Sequence, residues 1–290
     1  MNAHAINTAR SMLEPEAIGV WTEIKLQIIR EYASAYTTIL KEKPWCRGYA
    51  YIDAFAGPGE FISKADRERM ISGSPVNALD IQNKFNEYHF IDIDTSKIEQ
   101  LQRLVAGRPE SKTIHFHVGD ANTILRDKIL LNFSYESFKR ALCILDPYGI
   151  DIEWATIESI GKARTMDVFL NFPLMDINRN AALKILEASN PEVGARLTKI
   201  WGDESWKTLA YVEQSQLFSP SVLIKKGDGN ETLKRGFRGR LKKVAGFEFV
   251  PEPIQMTNTV GGPLYFLFFA SHQPVAQGIA EDILRKWGGG

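Results

Sequence analysis

The stretch Asp53-Ala54-Phe55-Ala56-Gly57-Pro58-Gly59 decides the fold of this chain of 290 residues. It follows a β-type run that begins at Gly48, so the chain has to turn tightly where a strand ends. Glycines permit φ values that other residues avoid, and they let the backbone approach a ligand closely. In an α/β sheet such a turn lies at the carboxyl edge, where ligands bind. Taken alone, the turn also fits a tight strand-to-helix connection with no ligand.

Strands and helical segments alternate along the chain around this turn. An amphipathic helix, with apolar residues at three- and four-residue intervals, precedes it and runs to about Leu40. The β-type runs span residues 48–55, 88–94, 114–118, 141–145 and 167–173. The middle runs are continuously apolar, which is typical of strands buried on both faces. We therefore predict a Rossmann-like α/β fold with a mostly parallel sheet.

The alternation of strands and helical segments stops after Pro173. Residues 176–243 read as mostly helical and more polar, with no clear strand. Strands return within residues 246–270, where Gly261-Gly262 favours a hairpin turn. We predict one Rossmann-like domain formed by residues 14–175 and 245–290. A helical insertion, residues 176–244, would lie over the rim of the sheet and recognise the substrate or a partner.

Aspartates follow each of the next three strands. Asp92 and Asp94 follow the second strand, Asp120 the third and Asp146 the fourth. A carboxylate after the second strand can accept hydrogen bonds from both hydroxyls of a ribose, and one after the third can accept from an adenine amine. Any one of them could be a solvated loop acid, but their order concentrates polar groups on one rim. Residues 60–74 lengthen the usual spacing of about 20 positions between glycine turn and ribose acid, and this loop could cover a ligand.

The composition excludes several broad classes of protein. Hydrophobic residues make up 44% and charged residues 24%, which is ordinary for a globular chain. The 35 basic and 35 acidic residues cancel, so any surface that attracts nucleic acid must be local. Cys46 and Cys143 lack metal-ligand spacing and suit a reducing compartment. The longest apolar run, near residues 264–270, is too short to cross a bilayer. We expect a cytoplasmic protein that does not associate with a membrane.

Five motifs together resemble the three-Cys-motif partner family, TcmP, over roughly residues 20–180. They are Asp53-x-Phe-Ala-Gly-Pro-Gly59, Gly73-Ser74-Pro75, Phe90-Ile91-Asp92-Ile93-Asp94, Gly119-Asp120-Ala121-Asn122 and Leu145-Asp146-Pro147-Tyr148-Gly149. The resemblance implies a class I methyltransferase sheet, with a C-terminal antiparallel hairpin, and a pocket for S-adenosylmethionine. It also implies a three-Cys-motif protein as a partner. The cysteines of the family name belong to that partner, so Cys46 and Cys143 take no role from it.

The same resemblance assigns the cofactor site. Asp53, Phe55, Gly57 and Gly59 would line the methionine end. Asp92 would hold the ribose hydroxyls, with Asp94 as the competing choice. Asp120, with Ala121 beside it, would meet the adenine. The full expected set is Asp53, Phe55, Ala56, Gly57, Gly59, Asp92, Ile93, Asp94, Gly119, Asp120 and Ala121.

Asp146-Pro147-Tyr148 resembles the Asp/Asn-Pro-Pro-Tyr signature of amino-methyltransferases. In that signature the acid or amide and a backbone carbonyl accept hydrogen bonds from the target amine, which aims its lone pair at the methyl group. The aromatic ring stacks on the base, and the base must be unpaired or flipped out. Only one proline is present here, and Tyr148 could instead be a packing aromatic. Asn171, after the fifth strand, either shapes the substrate pocket or turns the chain.

A basic segment spans residues 225–243. Lys234, Arg235 and Arg238 could contact nucleic acid phosphates, with Phe237 stacking on a base. The usual explanation is a solvated helix face with Phe237 turned to the core, and docking of a protein partner is a further alternative. Together with the Asp146 turn, this segment favours a nucleic acid substrate.

His115 and His117 alternate on one strand and face the same side. No third ligand is spaced nearby, so we predict no metal site.

Two other functions compete with methyl transfer. A nicotinamide oxidoreductase could use the same fold, although Asp53 would repel a pyrophosphate. A partner-binding module could keep the cofactor pocket and perform no transfer.

Overall fold

Helices and strands alternate through most of the chain, as predicted. The computed structural model describes residues 16–147, 149–174, 191–214, 222–258 and 261–288. The elements run in order through β1 (Ala17–Ile18), α1 (Val20–Lys41), β2 (Gly48–Asp53), β3 (Glu60–Ser63), β4 (Met70–Ser72), α2 (Ser74–Leu79), β5 (Glu87–Asp92) and α3 (Thr95–Val105). They continue through β6 (Ile114–Val118), α4 (Ala121–Ile124), β7 (Lys139–Leu145), α5 (Trp154–Ala163), β8 (Met166–Phe172), α6 (Pro191–Trp201) and α7 (Ser205–Ala210). The remaining elements are β9 (Tyr211–Gln214), β10 (Val222–Lys225), α8 (Gly229–Lys243), β11 (Ile254–Thr257), β12 (Pro263–Ala270) and α9 (Pro274–Gly288).

A seven-stranded sheet has the order β11-β12-β8-β7-β2-β5-β6. The strands from β8 to β6 are parallel, and β12 pairs antiparallel with both β8 and β11. The parallel strands therefore follow the Rossmann order 3-2-1-4-5. The chain returns past β2 to place β7 beside it, which creates a topological switch point at the carboxyl ends of β2 and β7. The fold class predicted from sequence is confirmed.

Each face of the sheet is covered by its own hydrophobic core. On one face, Ile28 of α1, Leu101 of α3 and Ala280 of α9 belong to a single buried cluster. On the other, Ile157 of α5 and Phe237 of α8 belong to a second cluster. Burial on both faces explains why β7 and β8 are continuously apolar in sequence.

The predicted helical insertion contains a β-hairpin. β9 and β10 pair antiparallel, so the expectation of no clear strand in residues 176–243 is wrong. Each strand is only four residues long, too short for its pattern to stand out. Phe237 packs with its ring centroid 4.5 Å from that of Phe172 and 5.3 Å from that of Phe268. The described part of the insertion thus shares the core of the sheet and covers one of its faces.

Three local boundaries differ from those expected. The loop of residues 60–74 contains β3 and β4, which form a small sheet with β1. The sequence predicts a helix from about Val76 to Phe85, but α2 ends at Leu79, where Lys84 Nζ donates to the terminal carbonyl. The sequence also predicts a strand at residues 246–251, but only an isolated bridge between Phe249 and Ser271 forms there.

Candidate functional site at the carboxyl edge

Two glycines in the left-handed region shape the loop after β2. Gly57 has φ +63° and Gly59 has φ +91°. A Cβ atom on Gly59 would lie 2.6 Å from Cδ1 of Leu101, so a larger residue would require this buried side chain to shift. The N–H of Ala56 donates to the carbonyl of Ile91 at 2.8 Å, which holds the loop against β5. The glycines are therefore required by backbone conformation and by close packing.

Asp53 is fully buried at the end of β2. The hydroxyl of Ser74 donates to its Oδ2, and the N–H of Phe55 donates to its Oδ1 at 3.2 Å. Burial raises the pKa of Asp53 to about 7, and the charges of Asp146 and Asp92 contribute to the rise. The carboxylates that follow successive strands are thus close enough to influence one another.

Asp92 and Asp94 have different roles in the structure. Oδ2 of Asp92 accepts a hydrogen bond from the N–H of Gly57 at 2.9 Å, which joins the second strand to the glycine loop. Asp94 instead caps α3, accepting from the N–H of Ser96 at 2.8 Å and from its hydroxyl at 2.7 Å. Between them, the side chain of Ile93 is 77% exposed at the rim.

Asp120 follows β6 and caps the helix α4. Its Oδ2 accepts from the N–H and the hydroxyl of Thr123, both at 2.8 Å, and so caps α4. Although partial burial opposes the change, these bonds lower the pKa of Asp120. Gly119, at φ +144°, donates its N–H to the carbonyl of Asp92 at 3.0 Å, and Ala121 is buried next to Asp120. The ends of β5 and β6 are therefore joined at the rim.

Asp146, after β7, is held by two side chains. Lys25 of α1 donates from Nζ to Oδ2, and Asn171 at the end of β8 donates from Nδ2 to Oδ1 at 2.8 Å. Burial works to lower the pKa of Lys25, but the charge and hydrogen bond of Asp146, together with the charges of Tyr265 and Asp53, outweigh it, and the pKa is raised. Both oxygens of Asp146 therefore already accept a hydrogen bond.

Lys25 is a site residue that sequence reasoning missed. Its side chain is only 6% exposed, although it belongs to the N-terminal helix. Trp21, Lys25 and Ile29 are spaced by four, which puts the lysine on the apolar face of that helix. A lysine in an apolar stripe needs a buried partner, and this signal was available in the sequence.

Asn171 carries an acceptor without a partner. Its side chain is buried, and Oδ1 makes no hydrogen bond among the described residues. The bond from Nδ2 to Asp146 fixes which end of the amide is which. Pro147 is buried beside this pair, whereas the predicted Tyr148 lies outside the described residues.

The predicted cations of α8 are engaged with acids. Lys234 contacts Glu231 at 2.6 Å and Glu252 at 3.0 Å, and Arg238 contacts Glu252 at 2.9 Å. Arg235 stays 69% exposed, 3.8 Å from Asp228. These contacts support the interpretation of the segment as a solvated helix face. Phe237 on its other side is fully buried.

A separate recess lies at the opposite, amino edge of the sheet. Its lining includes Tyr36, Trp45, Arg140, Met166 and His272. None of the predicted site residues that the structure describes lines it, so it is distinct from the rim described above.

No helix in the described ranges is both long and apolar enough to cross a membrane.

Comparison with known proteins shows similarity in structure alone. No protein-family model matches the sequence, and no curated protein is significantly similar to it. The protein LPL1258 from Legionella pneumophila is similar at a TM-score of 0.46 and 12% identity, over 91% of this chain and 93% of that one. The methyltransferase domain of bacterial CtHen1 is similar at 0.40 and 12%, over 84% and 99%. The N-terminal domain of EvdMO1, solved in the presence of SAH and D-fucose, is similar at 0.42 and 8%, over 85% and 84%. Because these TM-scores and sequence identities are low, the fold of this chain is assigned from its own strand order and connectivity.

Proposed function

We propose that this protein is an S-adenosylmethionine-dependent methyltransferase and a cytoplasmic member of the three-Cys-motif partner family. The main support is the hydrogen bond from the N–H of Gly57 to Asp92. It joins the glycine loop of the first strand to the acid of the second, next to the switch point between β2 and β7. Ligands of Rossmann-like sheets bind at that position. The five sequence motifs support the family, and a three-Cys-motif protein is the partner we propose.

The rim residues fit the parts of S-adenosylmethionine. We assign the methionine end to the loop from Asp53 to Gly59 and the ribose hydroxyls to Asp92. Asp92 is preferred over Asp94 because its Oδ2 is bound to the glycine loop through the N–H of Gly57, whereas Asp94 caps α3 outside that loop. The adenine would lie against the exposed Ile93, with Asp120 accepting from its amine. Each carboxylate oxygen has two lone pairs, so Asp92 and Asp120 can bind a ligand and keep their present bonds.

The acceptor group would be oriented by Asn171. Bound cofactor would supply an electrophilic methyl group on a sulfonium. The unpartnered Oδ1 of Asn171 would accept an N–H from a target amine and fix the direction of its lone pair. Asp146 would hold Asn171 in place, and its negative charge would favour the positive charge that develops on the amine nitrogen.

We propose the exocyclic amine of an unpaired nucleic acid base as the target. The Asp146-Pro147 turn beside Asn171 supports an amine acceptor. The exposed Arg235 is the α8 cation with the most freedom to contact phosphate. Lys234 and Arg238 would have to exchange their acidic partners for phosphate oxygens.

One observation favours the alternative of a cofactor-binding partner module without transfer activity. Lys25 and Asn171 already occupy both oxygens of Asp146. The carboxylate of the resembling signature accepts from the substrate directly. A module that keeps the pocket but has lost transfer would tolerate a carboxylate whose charge is already paired with Lys25.

Calorimetry with S-adenosylhomocysteine tests the cofactor site. Asp92→Asn should weaken binding at least tenfold, because charge-assisted bonds to hydroxyls are lost. Asp94→Asn is the matched control, since asparagine caps a helix as well as aspartate does. Equal losses in both variants, or binding of a nicotinamide cofactor in place of S-adenosylhomocysteine, would overturn the assignment.

Transfer of a labelled methyl group tests the acceptor. We expect label in single-stranded DNA or RNA and loss of transfer in Asn171→Ala, with S-adenosylhomocysteine affinity unchanged. Label in protein or small molecules would overturn the nucleic acid assignment. Absence of label from every acceptor class, with cofactor binding intact, would establish the partner module instead.

A further inference from the structure

We propose that Glu87, His89 and His115 bind a divalent metal ion of the Zn²⁺ class. The three residues lie on the neighbouring strands β5 and β6, at the edge of the sheet. Their ligand atoms all lie within 4.8 Å of one another. This site is independent of the proposed cofactor pocket and revises the expectation of no metal.

The sheet register brings the donors together. Residues two apart on a strand face the same side, so Glu87 and His89 form one pair and His115 and His117 another. His89 is paired directly with His115 across the two strands. Their rings stack with centroids 4.9 Å apart and planes inclined by 21°. The spacing of His115 and His117 along β6 could not reveal the other donors, because Glu87 and His89 belong to the neighbouring strand β5.

A buried nitrogen without a partner points to the ligand. Nε2 of His89 is buried and has no hydrogen-bond partner among the described residues, and the whole residue is 8% exposed. The nearest acid oxygen, Oε2 of Glu87, lies 3.7 Å away, beyond hydrogen-bond distance. A buried polar atom left unpaired is costly, and a metal ion between these two atoms would satisfy both.

His117 can accept the hydrogen bond from Nδ1–H of His89, and this selects the tautomer of His89 whose Nε2 can bind a metal. Nδ1 of His89 lies 3.2 Å from Nε2 of His117. If Nδ1–H donates to His117, Nε2 of His89 carries the lone pair and faces Glu87. Metal-binding histidines commonly donate their other ring N–H to such a partner.

Glu87 can serve two partners at once. Its Oε1 accepts from Lys139 at 3.2 Å, and its Oε2 is turned toward His89. Two imidazoles and one carboxylate are a common zinc donor set, with a fourth position open to water. Because His115 is exposed, an ion could enter from solvent.

The ion would join the edge strand β6 to β5. His89 lies three residues before Asp92, a distance of about 10 Å along a strand. Asp120 follows β6 at the same rim. A bound ion would therefore hold the two carboxylate-bearing strand ends in register.

The test uses the full chain without an affinity tag, stripped with a chelator and titrated with Zn²⁺ alone. We expect one ion per chain by native mass spectrometry and a higher melting temperature. His115→Ala should weaken binding at least 100-fold, and His115→Cys should restore most of it, because a thiolate also binds zinc. Since His115 is exposed, neither change should prevent folding.

Two further variants make the test specific. His117→Ala removes only a hydrogen-bond partner and should weaken binding about tenfold. Glu99→Gln changes a side chain 57% exposed on α3 and should leave the titration unchanged. The proposal is overturned if the wild-type chain takes up no Zn²⁺, or if His115→Ala binds it as tightly as the wild type.

Discussion

Lys25 and Asp146 form an ion pair that spans 121 positions of the chain. The lysine comes from the N-terminal helix and the aspartate from the end of β7. The lysine side chain is 6% exposed and that of the aspartate 28%, so both charges are largely removed from water. Such a pair contributes little net stability, but loss of one partner leaves a charge without compensation.

Replacing Lys25 with methionine should therefore lower the free energy of unfolding by about 3 kcal/mol, the low end for a buried pair because Asp146 is partly exposed. The double variant Lys25→Met/Asp146→Asn removes both charges and should recover most of that loss. Urea unfolding at pH 7 measures the free energy of unfolding of the single and the double variant. A double variant less stable than Lys25→Met would contradict the expected recovery.

Gly59→Ala should destabilise the chain by about 1–3 kcal/mol. The new methyl group would need φ +91° and would collide with Leu101. Gly107→Ala is the matched control, because nothing lies within 4 Å of its Cβ position. Thermal and urea unfolding of the two variants should differ clearly, and equal stabilities would show that the loop tolerates a side chain.

The free energy of unfolding should depend on Asp53 between about pH 4 and pH 7. Its pKa is raised from 3.8 to about 7, so in this window the folded state holds a proton that the unfolded state has released. Stability therefore falls as the pH rises, and the contribution from this group is lost above pH 7. From pH 5 to pH 8 we expect a decrease of about 2 kcal/mol from this carboxyl.

Asp53→Asn stays uncharged and should remove that part of the pH dependence. Asp167, whose pKa burial raises to about 6, provides a comparison at the opposite edge of the sheet. Asp167→Asn should flatten the curve only below about pH 6. If Asp53→Asn shows the full wild-type slope between pH 6 and pH 7, the carboxyl is ionised in the folded state.

Phe237→Ala should cost about 3–5 kcal/mol, because the ring is fully buried between α8 and the sheet. Unfolding should stay a single transition, since the described insertion shares the core of the sheet. Val244→Ala, at a position 42% exposed, should change stability by less than about 0.5 kcal/mol. A separate early transition in Phe237→Ala would show that the insertion folds on its own.

Sequence predicted the parts of the site that depend on local order. Glycines after one strand and aspartates after the next three lie at one edge in any parallel sheet, so Gly57, Asp92 and Asp120 could be placed together. The fold class could be predicted because strands and helical segments alternate along the chain. The distinction between Asp92 and Asp94 required coordinates, because it depends on which carboxylate caps the helix.

Contacts between distant segments could not be predicted in the same way. Nothing in the spacing of Lys25 and Asp146 indicates that α1 crosses the carboxyl end of β7. The pairing of His89 with His115 depends on strand register, which a sequence specifies only through the strands' partners. The short hairpin of β9 and β10 was missed because four-residue strands have little periodicity.

The contact of α1 with the rim has a consequence for biosynthesis. Tyr265 of β12 donates to the carbonyl of Trp21 at 3.2 Å, a separation of 244 positions. A ribosome adds about 5–20 residues each second. For many seconds α1 would display its apolar stripe without the strands that later cover it. The apolar face of α1 therefore stays open to water until β12 has been synthesised.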